Sequence, residues 1–232
     1  MARPASTLHF RVMSALLLYP EQELIDALPE LDAALDGAPG DIRARLAPVL
    51  THLASDGLIP LQESYVDTFD RGRKFSLHLF EHLHGESRER GPALVDLMQA
   101  YREHGFVIDA SELPDYLPLF LEFLGSVPME VAQSFLDDAI HVIAEVGKRL
   151  SEIASPYACV FDVLVMLAGV MPRPLVQPPV RDMDEAMETF GPSRDGVEPL
   201  LKEAAQTVRF YPRGAAPHAV GGHRVHGKAM TP

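Results

Sequence analysis

The sharpest chemical pattern in the chain is His78-Leu-Phe-Glu81-His82, which matches H-x-x-E-H, an order in which two histidines one helical turn apart can hold zinc. A catalytic zinc site needs a third protein ligand on another element. Glu112 and Glu122 are candidates, and neither is selected by its spacing. Two other readings fit the same residues. His78, Glu81 and His82 form the solvated face of a short helix opposite Leu79, Phe80 and Leu83, or they form a polar surface that binds a partner. No G-x-S-x-G elbow, P-loop or G-x-G-x-x-G is present, and Cys159 lies in an apolar run without a neighbouring base. Nucleophilic catalysis and nucleotide hydrolysis are therefore disfavoured.

Immediately upstream, Tyr65-Val-Asp-Thr-Phe69-Asp70-Arg71-Gly-Arg-Lys74 alternates aromatics with charges and then turns at a glycine. One account has Asp70 and Arg71 simply tying down a loop. The other has Tyr65, Phe69 and the acidic side chains lining a groove for an apolar, basic peptide helix.

Helices must position these residues. Apolar side chains recur at three- and four-residue spacing through residues 6–170, few runs are β-branched, and the fold class expected is all-α, a helical bundle. The first helix carries Leu8, Val12, Ala15, Leu16 and Tyr19 on its inner stripe and stops at Pro20. Further helices are expected near 21–35, 41–55 and 60–70, the last with Leu61, Tyr65, Val66 and Phe69 inward, and a short one over 76–84. Residues 87–104 place Leu94, Leu97, Met98 and Tyr101 together, with Gly91-Pro92 bending or restarting the helix. Asp115 is expected to cap a helix with Pro118 in its first turn and Leu117, Phe120, Leu121 and Leu124 inward. A long helix over 128–152 would bury Val131, Phe135, Ala139, Val142, Val146 and Leu150, and a last one spans about 156–169.

The character changes at Pro172, since 9 of the 20 prolines fall in residues 172–232. Residues 1–171 carry 26 acidic and 12 basic side chains, whereas 172–232 carry 7 and 8, with no acid after Glu203. One helical domain over 1–171 followed by an extended or mobile tail, with short helices at 182–190 and 197–208, is the organisation this predicts. The overall charge of -13 disfavours nucleic acid as a partner. The single cysteine excludes an intrachain disulfide framework, and a buried inert thiol is expected. No export signal and no bilayer-length apolar run is legible, so the expected location is the cytoplasm, without stable membrane insertion.

Residues Tyr65 to Gly91 together resemble the signature of the assembly chaperones of respiratory nitrate reductase, the delta-subunit family. Glu112-Leu-Pro-Asp115-Tyr-Leu-Pro118-Leu-Phe-Leu-Glu122-Phe123-Leu is similar to the E-x-P-D-H segment of the wider TorD-like redox-enzyme maturation chaperones, with Tyr116 standing where those relatives commonly have histidine. The opening Leu-Leu-Tyr19-Pro20 also fits, and the likeness covers roughly residues 6–170. The resemblance implies an all-helical domain with no catalysis and no cofactor of its own. It implies a chaperone that binds the apo catalytic subunit of nitrate reductase, chiefly at an N-terminal segment, until molybdenum cofactor and an iron–sulfur cluster are inserted. Proteins that deliver the molybdenum cofactor would be further partners. The partner-binding surface is then expected among Tyr65, Phe69, Asp70, Arg71, His78, Glu81, His82, Asp115, Pro118, Glu122 and Phe123, of which Phe69 and Pro118 are the strongest candidates for a structural role.

Overall fold

A computed structural model describes residues 7–55, 57–71, 73–85, 87–108 and 112–175. The described residues form nine α-helices: α1 (Leu8–Leu16), α2 (Gln22–Ala34), α3 (Ile42–Ser55), α4 (Leu58–Phe69), α5 (Leu79–His84), α6 (Arg90–Glu103), α7 (Leu117–Leu124), α8 (Met129–Glu152) and α9 (Ala158–Leu167). Among them β pairing is limited to one antiparallel bridge, between His78 and Tyr116. No described helix is long and apolar enough to cross a membrane.

The frame is α8, 24 residues and so about 36 Å at ~1.5 Å per residue. It packs against α9 on one side and against α7 and α5 on others, and α1 lies along α7. Because α8 is covered from more than one direction, its buried set is broader than a single stripe: Ala132, Leu136, Ile140, Val142, Ile143, Val146, Gly147 and Leu150. Val131, Phe135 and Ala139, expected inward, lie at the margin, partly buried. Gly147 permits the closest approach, since a Cβ there would come within 2.5 Å of Phe161 Cβ on α9.

The first helix also departs from its expected stripe. It ends at Leu16, so Tyr19 lies beyond it and is exposed, as is Leu8, while Phe10, Val12, Met13, Leu16 and Leu17 are buried. Two hydroxyls fasten this helix to α7: Ser14 Oγ donates to the Pro118 carbonyl at 2.6 Å and Thr7 Oγ1 to that of Gly125 at 3.1 Å. Tyr65 on α4 donates to the Leu17 carbonyl at 2.9 Å, hanging α4 from the end of α1. Gly91-Pro92 neither bends nor restarts α6, because they fall in its first turn, where proline costs no intrahelical hydrogen bond. Of its expected inner residues only Tyr101 is fully buried.

Residues 168–175 run on without regular structure. The tail expected over 172–232, with helices at 182–190 and 197–208, lies outside the described residues from 176 onward.

Gly147→Ala tests the α8–α9 contact: overpacking at this spacing should cost about 1–3 kcal/mol in urea unfolding with circular dichroism unchanged in shape.

Candidate functional site: an aromatic cleft between α4, α5 and the 112–117 segment

The turn after α4 and the segment before α7 face one another because of the His78–Tyr116 bridge. Leu117 N–H donates to the Leu77 carbonyl at 2.8 Å and Leu79 N–H to that of Asp115 at 3.0 Å. This pairing sets the rings of His78 and Tyr116 5.3 Å apart. Between the two strips and α4 lies a cleft of about 670 Å³, lined by Tyr19, Tyr65, Phe69, Asp70, Arg71, Arg73, Ser76, Leu77, His78, Glu81, Glu112 and Tyr116.

Aromatic rings build its wall. Tyr65 stacks tilted on Phe69 at 4.8 Å, meets Tyr19 edge-on at 5.5 Å, and approaches the Tyr116 hydroxyl at 3.5 Å. Burial pushes the Tyr65 and Tyr116 phenols above their ordinary value, so both remain neutral donors across the working pH range. The charged lining is mixed: Asp70, Glu81 and Glu112 against Arg71 and Arg73. The groove expected to be acidic thus carries nearly balanced charge around apolar walls. Beside it a second cleft, of about 500 Å³, shares Tyr19 and Arg71 and continues past Ile59, Val66 and Asp67 along α4.

Asp115 sits behind the cleft with no exposed surface. Its carboxylate accepts the Phe80 N–H at 3.0 Å, stands 3.4 Å from His78 Nδ1 and lies 3.8 Å from the Arg90 guanidinium. Arg90 reaches Glu81 as well, at 3.3 Å. The expectation that Asp115 caps the helix following it is corrected here. Tyr116 occupies the N-cap position of α7, and the carboxylate instead satisfies the first turn of α5, where an anion is favoured by the exposed N–H groups. The cap works across 35 residues of sequence, which no local pattern could reveal.

The histidine pattern is also resolved differently from its sequence reading. His78 is not inside a helix but at the N-cap of α5, with φ -85° and ψ 103°. His82 turns inward, where Nε2 lies 2.9 Å from the Ser76 carbonyl. A ring nitrogen that donates its proton to a carbonyl has no lone pair for a metal, so His82 Nε2 is committed to Ser76 and His78 Nδ1 to Asp115. Among the described residues no group of three or more His, Cys, Asp or Glu is placed to hold a metal ion. The zinc reading finds no support among the described residues, and the solvated-face reading falls because His82 is buried while Leu83 is 41% exposed.

Of the eleven expected site residues, Tyr65, Phe69, Asp70, Arg71, His78 and Glu81 line the cleft. Asp115 and His82 are buried beside it. Pro118 and Phe123 are core: Phe123 has no exposed surface and packs on Tyr101 at 4.4 Å and Phe135 at 4.9 Å. Glu122 is exposed on α7 and does not line the cleft. Tyr19, Arg73, Ser76, Leu77, Glu112 and Tyr116 complete the lining, none of them among the expected eleven. The E-x-P-D pattern flags Glu112 and Tyr116, whereas periodicity assigns Tyr19 to a helical stripe it does not join. Cys159, half-buried on α9, has its thiol pushed up to about 11 by burial, as an inert thiol requires.

His78 and His82 titrate in opposite senses. The Asp115 hydrogen bond raises His78 above 6.5, so its contribution to stability is complete below that value and is lost as pH rises through the raised one. Burial lowers His82, so its contribution is complete above 6.5 and is lost as pH falls toward the lowered value. Urea unfolding between pH 5 and 8.5 should show His82→Asn flattening the acid limb and His78→Gln the alkaline limb.

Residues 26–162 match the family described as nitrate reductase delta subunit. The nitrate reductase molybdenum cofactor assembly chaperone NarJ of Escherichia coli (strain K12) is 35% identical over 224 residues, which cover 92% of this chain and 89% of that one. A protein of Bacillus subtilis (strain 168) described as a probable chaperone of the same kind is 36% identical over 157 residues, 67% of this chain and 85% of its own. A solved chain from Archaeoglobus fulgidus described as a redox enzyme maturation protein superposes with a TM-score of 0.53 at 20% identity, over 71% of this chain and 94% of its own, a likeness of fold alone. With the all-helical bundle and the paired segments of the cleft in place, the chain belongs to the nitrate reductase delta-subunit family.

Proposed function

We propose that this protein is a non-enzymatic assembly chaperone of respiratory nitrate reductase, which holds the apo catalytic subunit by its N-terminal segment while molybdenum cofactor is inserted. The observation that carries this reading is the cleft. Its two faces are the Tyr65–Glu81 strip and the Glu112–Tyr116 strip, the same stretches that bear the family likeness. Relatives with 35% and 36% identity are described as chaperones of that assembly.

The chemistry of the lining defines what it takes. Four aromatic rings, Tyr19, Tyr65, Phe69 and Tyr116, offer rigid apolar area at low entropic cost. Asp70, Glu81 and Glu112 offer acceptors to cationic side chains, and Arg71 and Arg73 offer donors to backbone carbonyls or carboxylates. A short amphipathic helix with apolar anchors and one or two basic residues satisfies all of these groups. Apolar burial supplies most of the affinity, and the near-balanced charge sets orientation. Holding the segment in this way requires no bond to be made or broken.

Calorimetric titration with a peptide from the N-terminus of the same organism's nitrate reductase catalytic subunit tests the reading. Binding should be saturable, near micromolar, and weakened only modestly by salt, since the cleft's charges nearly cancel. Tyr116→Ala should lower affinity about ten-fold, ~1.4 kcal/mol, in protein that circular dichroism shows to be folded, and Glu122→Ala should leave affinity unaltered. Absence of binding, or equal affinity in the Tyr116 variant, would count against the cleft as the client's seat.

A further inference from the structure

The course by which the chain leaves the helical body points toward the cleft. Along α8, Gln133, Asp137, His141, Glu145 and Arg149 recur every four residues and form one polar row. The first three grip the outgoing backbone in turn. Gln133 Nε2 donates to the Leu167 carbonyl at 3.2 Å, Gly169 N–H donates to Asp137 Oδ1 at 2.7 Å, and Arg173 N–H donates to His141 Nδ1 at 3.1 Å. Gly169 is needed for this approach, because a Cβ there would sit 2.9 Å from Asp137 Oδ2. Residues 167–173 therefore run parallel to α8, toward its C-terminal end.

The last two members of the row point to the destination. Arg149 pairs with Glu145 at 3.2 Å and donates to the Lys74 carbonyl at 3.2 Å. Lys74 adjoins Arg73, which lines the cleft. From His141 to Arg149 is about 12 Å along the helix, a distance that about four extended residues cover. Beyond Leu175 the chain has 57 more residues, so reach does not limit where they go.

That remainder contains Arg209-Phe210-Tyr211-Pro212-Arg213, two adjacent aromatics between two arginines in a stretch without acids. Its composition complements the cleft: rings for the wall of Tyr19, Tyr65 and Tyr116, guanidiniums for Asp70 and Glu112, and backbone carbonyls for Arg71 and Arg73. We propose that the segment 209–213 of the same chain occupies the aromatic cleft, led there by the strap on α8, and competes with the client. The competition rests on the reading of the cleft as the client's seat; the occupancy does not.

Photo-cross-linking of the full chain, with Phe210 replaced by p-benzoylphenylalanine and the products mapped by mass spectrometry, tests the occupancy. Links within one chain to residues 65–81 or 112–116 are the expected result. Links only to other regions, links to a second copy, or no links would overturn it. In the full chain, Phe210→Ala with Tyr211→Ala should raise affinity for the client peptide about threefold or more, because a competing occupant is removed. Unchanged affinity overturns the competition. Should links form while no peptide binds either chain, the client reading fails and the occupancy stands.

Discussion

A carboxylate with no exposed surface is costly unless every lone pair finds a donor, and the geometry around Asp115 is arranged to meet that demand. Phe80 N–H, His78 and Arg90 converge on it from the start of α5 and from α6, while its own backbone carbonyl takes Leu79 N–H. Three segments distant in sequence are thereby locked together at the floor of the cleft. Were Asp115 apolar, the first turn of α5 would lack its cap, Arg90 would lose one of its two carboxylates, and the short backbone bridge would be left to hold the strip at 76–82 against the strip at 112–117. The rings that form the cleft wall depend on that closure for their spacing.

This arrangement gives a family signature a physical meaning. The E-x-P-D segment is the half of a clasp whose other half is the histidine-rich stretch beginning at His78. In the same clasp, Tyr116 contributes a neutral phenol beside Tyr65. Asp115 raises the His78 pKa at the cleft, and burial lowers that of His82 from within the core.

Much of the fold was legible in the sequence because helical periodicity and proline positions are local signals. α7 buries the residues expected of it, among them Leu117 and Leu121, and α4 buries Leu61, Tyr65 and Phe69 but leaves Val66 at the surface of the second cleft. What misled were positions decided by tertiary packing. α8 is enclosed from several sides, so a single-stripe reading finds Val142, Val146 and Leu150 but takes the margin at Val131, Phe135 and Ala139 for the centre, and Tyr19 falls outside a helix that ends three residues earlier. The candidate site was half legible. The alternation of aromatics and charges marks Tyr65, Phe69, Asp70 and Arg71, and the H-x-x-E-H pattern marks His78 and Glu81, whereas Phe123 is drawn in only by its neighbourhood to Asp115 and belongs to the core. A cap made across 35 residues leaves no periodic trace, and a pattern such as H-x-x-E-H cannot show that its first histidine precedes the helix its second one joins.

Amide hydrogen exchange of the full-length protein, with and without the apo catalytic subunit, tests most directly whether the clasped cleft is where the client sits. The subunit is predicted to slow exchange in residues 65–82 and 112–117 while α2 and α3 are unaffected. Protection confined to α2 and α3, with the two strips of the cleft exchanging as in the free protein, would contradict it.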